Sequence, residues 1–119
     1  MIGIVIVTHG HLADEFIAAL EHVTGAQTHI ASVCIQPDDN MDDMRAVISE
    51  KTSQVDTGAG VVIMTDMFGG TPSNLSLSVT QDKNIEVLAG INLPALVKLA
   101  TIRHNMDLVG AVNCARDAG

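Results

Sequence analysis

The sequence has neither tryptophan nor tyrosine and only two phenylalanines in 119 residues, so it offers no aromatic platform on which a base or a sugar ring would stack. Positive charge is also scarce. Six Lys and Arg stand against 14 Asp and Glu, for a formal net charge of -8, and the basic residues are scattered. That distribution excludes the basic patch by which a protein holds nucleic acid or an anionic membrane. Cysteine is limited to Cys34 and Cys114, without Cys-x-x-Cys spacing, which reads as two reduced, largely buried thiols in a cytoplasmic protein. The apolar opening Met1 to Val7 lacks a basic n-region and falls short of the ~20 residues that a membrane span needs.

What is present is an aliphatic core in the making: 47% of residues are hydrophobic, enough to close one domain over residues 1–119. Ile2 to Val7 is a nearly unbroken β-branched run, the pattern of a strand buried on both faces of a parallel sheet. Ala13, Phe16, Ile17, Leu20 and Val23 then recur at helical spacing, and Gly25 stands where that helix stops. The alternation continues. His29 to Ile35 reads as a strand, Met44, Val47, Ile48 and Val55 as a helix stripe, and Val61 to Met64 as a third strand. Leu75, Leu77 and Val79 alternate with Ser and Thr in the period of a strand, but Pro72 suits a first helical turn and Thr71 the N-cap before it, so a helix is expected there. Ile85 to Leu88 makes a fourth strand, Pro94 opens a helix carrying Leu96, Val97 and Ala100, and Leu108, Val112 and Ala115 mark a last one.

Strands alternating with helices predict a doubly wound α/β domain: a mainly parallel sheet of four or more strands, helices on both faces, joined by right-handed crossovers. Ligands in such folds sit outside the carboxyl ends of the strands, at the switch point in strand order. This rule selects two loops, one at His9 after the first strand and one from Asp66 to Ser73 after the third.

A neutral imidazole attacks phosphorus with one ring nitrogen provided that the other keeps its proton against an acceptor. Asp66 is the expected acceptor for His9, fixing the tautomer as the carboxylate of a serine-protease triad does. Gly69, Gly70, Thr71 and Ser73 supply a glycine turn running into a helix N-terminus, a cradle of N–H groups and hydroxyls for phosphate oxygens, with Thr8 as a further hydroxyl. No Lys or Arg lies within ten residues of His9 or between Val61 and Gln81, so the expected site holds a phosphoryl group lightly, as a relay requires.

Other polar residues have plainer readings. His11 beside His9 and Asp66 is weak evidence for zinc without a third convincing ligand, and neither a metal nor another cofactor is expected. His22, His29 and His104 read as surface or capping residues, Asp38, Asp39, Asp42 and Asp43 as a solvated loop and an acidic helix start, the methionines as core filler, and Asn92 as a cap. A response-regulator receiver would show an acidic pair where Thr8-His9-Gly10 stands, and a P-loop or dinucleotide fold would need a glycine fingerprint that is missing. A binding module in which the His–Asp pair is only structural remains the alternative.

Val7-Thr8-His9-Gly10, the run Asp66-Met67-Phe68-Gly69-Gly70-Thr71-Pro72-Ser73-Asn74 and Gly90-Ile91-Asn92-Leu93-Pro94 together resemble the mannose-family enzyme IIA domains of the sugar phosphotransferase system, in order and spacing from residue 1 to about residue 115. The resemblance implies that His9 is phosphorylated by phospho-HPr, that Asp66 orients it, that Thr71 and Ser73 cradle the phosphate, and that the chain forms a homodimer. It also implies a protein acceptor: a IIB protein that leads to a sugar permease, the only and indirect link to a membrane, or a regulatory target. Some members carry Trp-Gly-Gly-Ser where this chain has Phe68-Gly69-Gly70-Thr71.

Overall fold

The computed structural model describes residues 1–80 and 84–119. Among them, four strands each followed by a helix, and one further helix, run in the order β1 (Gly3–His9), α1 (Leu12–Thr24), β2 (Ile30–Ile35), α2 (Met41–Val55), β3 (Val61–Thr65), α3 (Thr71–Ser78), β4 (Ile85–Ala89), α4 (Leu93–Ile102) and α5 (Leu108–Ala118). The strands form one parallel sheet in the order β2-β1-β3-β4, the expected doubly wound α/β architecture. No helix among the described residues is long and apolar enough to cross a membrane.

The unbroken apolar character of β1 and β3 follows from their central position. Ile4 and Ile6 of β1 and Val62 and Met64 of β3 face one core, with Ala13 and Leu20 of α1, Leu96 and Leu99 of α4, and Ala111 and Ala115 of α5. Val5, Val7, Val61 and Ile63 face the other, with Ile48 and Val55 of α2 and Leu75 of α3. Each aliphatic side chain so enclosed contributes roughly 1.5–3 kcal/mol relative to leaving it in water. Gly3 is required where β1 passes α2, because a Cβ there would run into the carbonyl of Val55.

Three local expectations are corrected. β2 starts at Ile30 rather than His29, because His29 has a φ of 53°, a left-handed turn incompatible with a strand. The N-cap of α3 is Gly70, not Thr71. Its carbonyl accepts the first helical bond, from the Asn74 N–H at 3.0 Å, which places Thr71 inside the helix. Ser73 and Ser76 of α3 are buried, and the Ser76 hydroxyl donates to the Pro72 carbonyl at 2.6 Å. The segment is helical in spite of its strand-like alternation because Pro72 stands in the first turn, where a missing N–H costs nothing. Cys34 and Cys114 are free thiols, half-buried rather than enclosed.

At the amino edge of the sheet Arg103, which caps α4, is 1% exposed. Its guanidinium donates to the carbonyls of Ile2, Thr28 and His29 and to the Gln27 side chain at 2.6–3.2 Å. This one side chain ties the start of β1 and the approach to β2 to the end of α4.

Candidate active site

The reversal in strand order falls between β1 and β3, since α1 leads outward from β1 to β2 and α2 returns across the opposite face to β3. Register then does the positioning. Val7 pairs with Thr65, so His9 at the end of β1 and Asp66 just beyond β3 emerge side by side at the carboxyl edge, where a crevice is expected. Gly10 turns the chain there with a φ of 56° while its N–H donates to the Ile35 carbonyl at 2.9 Å.

Asp66 Oδ2 accepts two hydrogen bonds from His9, from the backbone N–H at 3.0 Å and from Nδ1 at 2.7 Å, and Oδ1 accepts the Met67 N–H at 3.0 Å. The His9 side chain is 49% exposed and that of Asp66 14%. Burial pushes the Asp66 carboxyl pKa up, but the His9 backbone N–H, the His9 ring and the Met67 N–H outweigh it and hold it below the usual carboxylate value. An ionised carboxylate only accepts, so the proton of the neutral ring belongs on Nδ1 and the lone pair on Nε2.

That second nitrogen faces the glycine loop. Gly69, with a φ of 86°, turns the chain so that Gly70 lies against the ring. A Cβ at Gly70 would stand 2.9 Å from Cε1 and 3.4 Å from Nε2 of His9. Gly70 opens α3, whose first-turn N–H groups at Thr71 and Ser73 have no helical carbonyl to meet. Such an end attracts anions through its N–H groups and its dipole.

His9, Asp66, Gly69, Gly70 and Thr71 are therefore gathered at one edge, and Thr71 and His9 line a common open cleft of about 450 Å³ with Gly10, Ile35, Gln36, Pro37 and Met41. Two hydroxyls are not part of this surface. Thr8 is fully buried and its Oγ1 accepts the Ala13 N–H at 2.8 Å, so it caps α1 instead of reaching the cleft. Ser73 is 1% exposed and its Oγ has no partner among the described residues; only its backbone N–H remains for the cradle. Asn92 caps α4 by accepting the Ala95 N–H at 3.0 Å.

Residues 3–115 match the family EIIA-man, described as the PTS system fructose IIA component. The chain belongs to this family. The mannose-specific EIIAB component of Escherichia coli K12 is 32% identical to it over 105 residues, 87% of this chain and 32% of that protein. The sorbose-specific EIIA component of Lacticaseibacillus casei is 32% identical over 108 residues, 88% of this chain and 76% of that protein. The EIIA-man chain thus spans only 32% of the length of its mannose-specific relative. Among solved structures, the phosphotransferase system component EIIA from Streptococcus agalactiae superposes with a TM-score of 0.90 at 27% identity, covering 99% of this chain and 92% of that one. The mannose/sorbose specific IIA subunit from Enterococcus faecalis shares the fold, with a TM-score of 0.88 at 19% identity over 99% of this chain and 89% of that one.

Sequence reasoning did not anticipate that the segment after β2 would wall the EIIA-man cleft with Gln36, Pro37 and Met41. Its only signal is the turn-forming Pro37, which says where the chain bends but not toward which neighbour. Beside the glycine loop, Met67 and Phe68 are 55% and 79% exposed. Met67 therefore is not the core filler expected from the sequence.

Proposed function

We propose that this EIIA-man chain is a phosphocarrier of the phosphoenolpyruvate-dependent phosphotransferase system. It accepts a phosphoryl group on His9 from phospho-HPr and passes it to a IIB protein or to a regulatory target, working as a single-domain, cytoplasmic homodimer. The observation that carries this reading is the 2.7 Å hydrogen bond from His9 Nδ1 to Asp66 Oδ2, which leaves Nε2 as the attacking atom at the mouth of an anion-favouring helix end.

In the transfer, the Nε2 lone pair forms a bond to phosphorus as the bond from phosphorus to the donor's ring nitrogen breaks, and the donor nitrogen keeps that electron pair. Asp66 holds the Nδ1 proton throughout and balances the positive ring that results. The N–H groups that open α3 receive the phosphoryl oxygens. Favourable interaction with such a helix end amounts to ~0.3–1 kcal/mol when exposed and up to ~2 when partly buried, and no Lys or Arg among the described residues lines the cleft. A hold of this strength suits a group in transit, and onward transfer is the same displacement in reverse.

The test is to incubate the purified chain with enzyme I, HPr and phosphoenolpyruvate and to follow intact mass at alkaline pH. Wild type gains one phosphoryl mass and His9→Ala gains none. A wild type that gains nothing with several HPr sources leaves the His–Asp pair structural and overturns the reading.

A further inference from the structure

We propose that His11, Asp14 and Cys34 form a binding site for a thiophilic divalent cation of the zinc class, on the other face of the sheet from the His9 cleft. Each side chain offers one donor atom, and the three atoms lie within 4.8 Å of one another, the one such group among the described residues. The placement follows from register. Cys34 of β2 pairs with Thr8 and Ile35 with His9. Successive residues of a strand face opposite ways, so Ile35 lines the His9 cleft while Cys34 packs against the core that α1 covers.

His11 is uncommitted, and Asp14 and Cys34 already lie in hydrogen-bond contact with each other, an arrangement that a shared cation can enter. His11 occupies the N-cap of α1 but makes no capping bond with its side chain. That duty has passed to Thr8, whose Oγ1 takes the Ala13 N–H, so the exposed imidazole is left over. Asp14 is oriented by the Ser32 hydroxyl, which donates to its Oδ1, and Oδ2 remains for a ligand. A ligating carboxylate fixed by a neighbouring hydroxyl is the usual outer-shell arrangement of metal sites. Cys34 is a free thiol.

The donor set selects the ion. Imidazole nitrogen, thiolate sulfur and one carboxylate oxygen suit zinc and its relatives, whereas magnesium and calcium take oxygen ligands. Bonds of about 2.0–2.3 Å place tetrahedral ligands roughly 3.5 Å apart, which small rotations of the exposed His11 and Asp14 side chains achieve. On binding, the Cys34 thiol gives its proton to solvent, the sulfur–metal bond forms, and a water leaves the ion. The thiolate and carboxylate then balance the charge of the dication, and three protein ligands leave the fourth position to water.

The experiment titrates the reduced full-length chain with cobalt(II), reading the near-ultraviolet thiolate-to-cobalt band and the visible bands of a tetrahedral ion, and then measures zinc affinity against a chromophoric chelator. One equivalent is expected to bind. Cys34→Ser loses the thiolate band, Cys114→Ser keeps it, and His11→Ala weakens zinc affinity at least tenfold with an unchanged circular dichroism spectrum. Because His11 is exposed, that variant keeps the test valid even where Cys34→Ser fails to fold. The proposal is overturned by the absence of a thiolate band, by a band that survives Cys34→Ser, by His11→Ala binding zinc as wild type does, or by loss of binding in His9→Ala, which would place the ion at the His9–Asp66 pair instead.

Discussion

Asp66 meets His9 twice through a single oxygen, Oδ2, which takes both the backbone N–H at 3.0 Å and the ring Nδ1 at 2.7 Å. The first bond fixes the end of β1 against the start of the loop after β3, and the second sets the tautomer and tilt of the ring. A residue that does both at once couples the backbone geometry of the site to its chemistry.

Asp66→Ala is therefore expected to slow phosphoryl acceptance far more than it alters the fold. Loss of the carboxylate that fixes the tautomer of the serine-protease histidine costs about 10⁴-fold. The initial rate of phosphorylation by phospho-HPr, followed by quenched intact-mass measurement, should fall by roughly 10²-fold or more, with the circular dichroism spectrum retained. A fall of less than threefold would show that the ring finds its orientation without the carboxylate.

Gly70→Ala places a methyl group where only 2.9 Å separates it from His9 Cε1. The backbone of Gly70, with φ of -85° and ψ of 171°, is open to any L-residue, so the helix tolerates alanine and the strain falls on the ring. Misplacing a reacting group by about 1 Å costs on the order of 10²-fold. The expected result is a thermal midpoint near wild type with a phosphorylation rate at least tenfold lower. Equal loss of stability and activity would point to a collapsed loop instead.

The strands and the pairing of His9 with Asp66 were legible in the sequence because their causes are local or topological. A strand buried on both faces must be an apolar run, as Ile4 to Val7 is, and the switch-point rule needs only the order of elements. What was hidden depends on which way a side chain turns after packing. Thr8 and Ser73 look like free hydroxyls in a motif, yet one caps a helix five residues on and the other is enclosed. Arg103 looks like a surface charge, because its partners are mainly backbone carbonyls, which every residue carries and no motif displays.

Thr8→Val is expected to separate stability from chemistry in the opposite sense to Gly70→Ala. The substitution keeps the buried shape and removes the acceptor of the Ala13 N–H, at a cost of about 1–2 kcal/mol for a lost cap and a stranded donor. Urea unfolding should show that loss as a lower midpoint with an unchanged slope. Phosphorylation of the folded fraction should stay within about threefold of wild type; a drop beyond tenfold would return Thr8 to the phosphate cradle.

The lowered pKa of Asp66 sets a pH window. Its folded-state value lies below that of the unfolded chain, about 3.9 for an aspartate, so its ionised form stabilises the fold fully above that pH and the contribution is lost as pH falls through the folded value. The stability gap between wild type and Asp66→Asn should close below about pH 4. Chemical denaturation at a series of pH values checks this, and a gap that begins to close near neutrality would contradict the assignment of the Nδ1 proton to His9.

Arg103→Met tests the opposite edge of the sheet, far from the chemistry. The guanidinium serves the carbonyls of Ile2, Thr28 and His29 and the Gln27 side chain, and methionine fills much of its volume but leaves those acceptors without donors. Each buried acceptor so stranded costs about 1–3 kcal/mol, partly relieved by water at the sheet edge, so a total loss of roughly 3–5 kcal/mol is expected by urea unfolding. Lysine should recover little of it, because a single ammonium cannot span acceptors arranged around a planar fork. At pH 7, the rate at which the remaining folded protein accepts a phosphoryl group should match wild type, since His9 and Asp66 lie at the other end of their strands. A variant as stable as wild type would mean that water replaces the guanidinium at no cost, and that the register of β1 and β2 is held by their apolar faces alone.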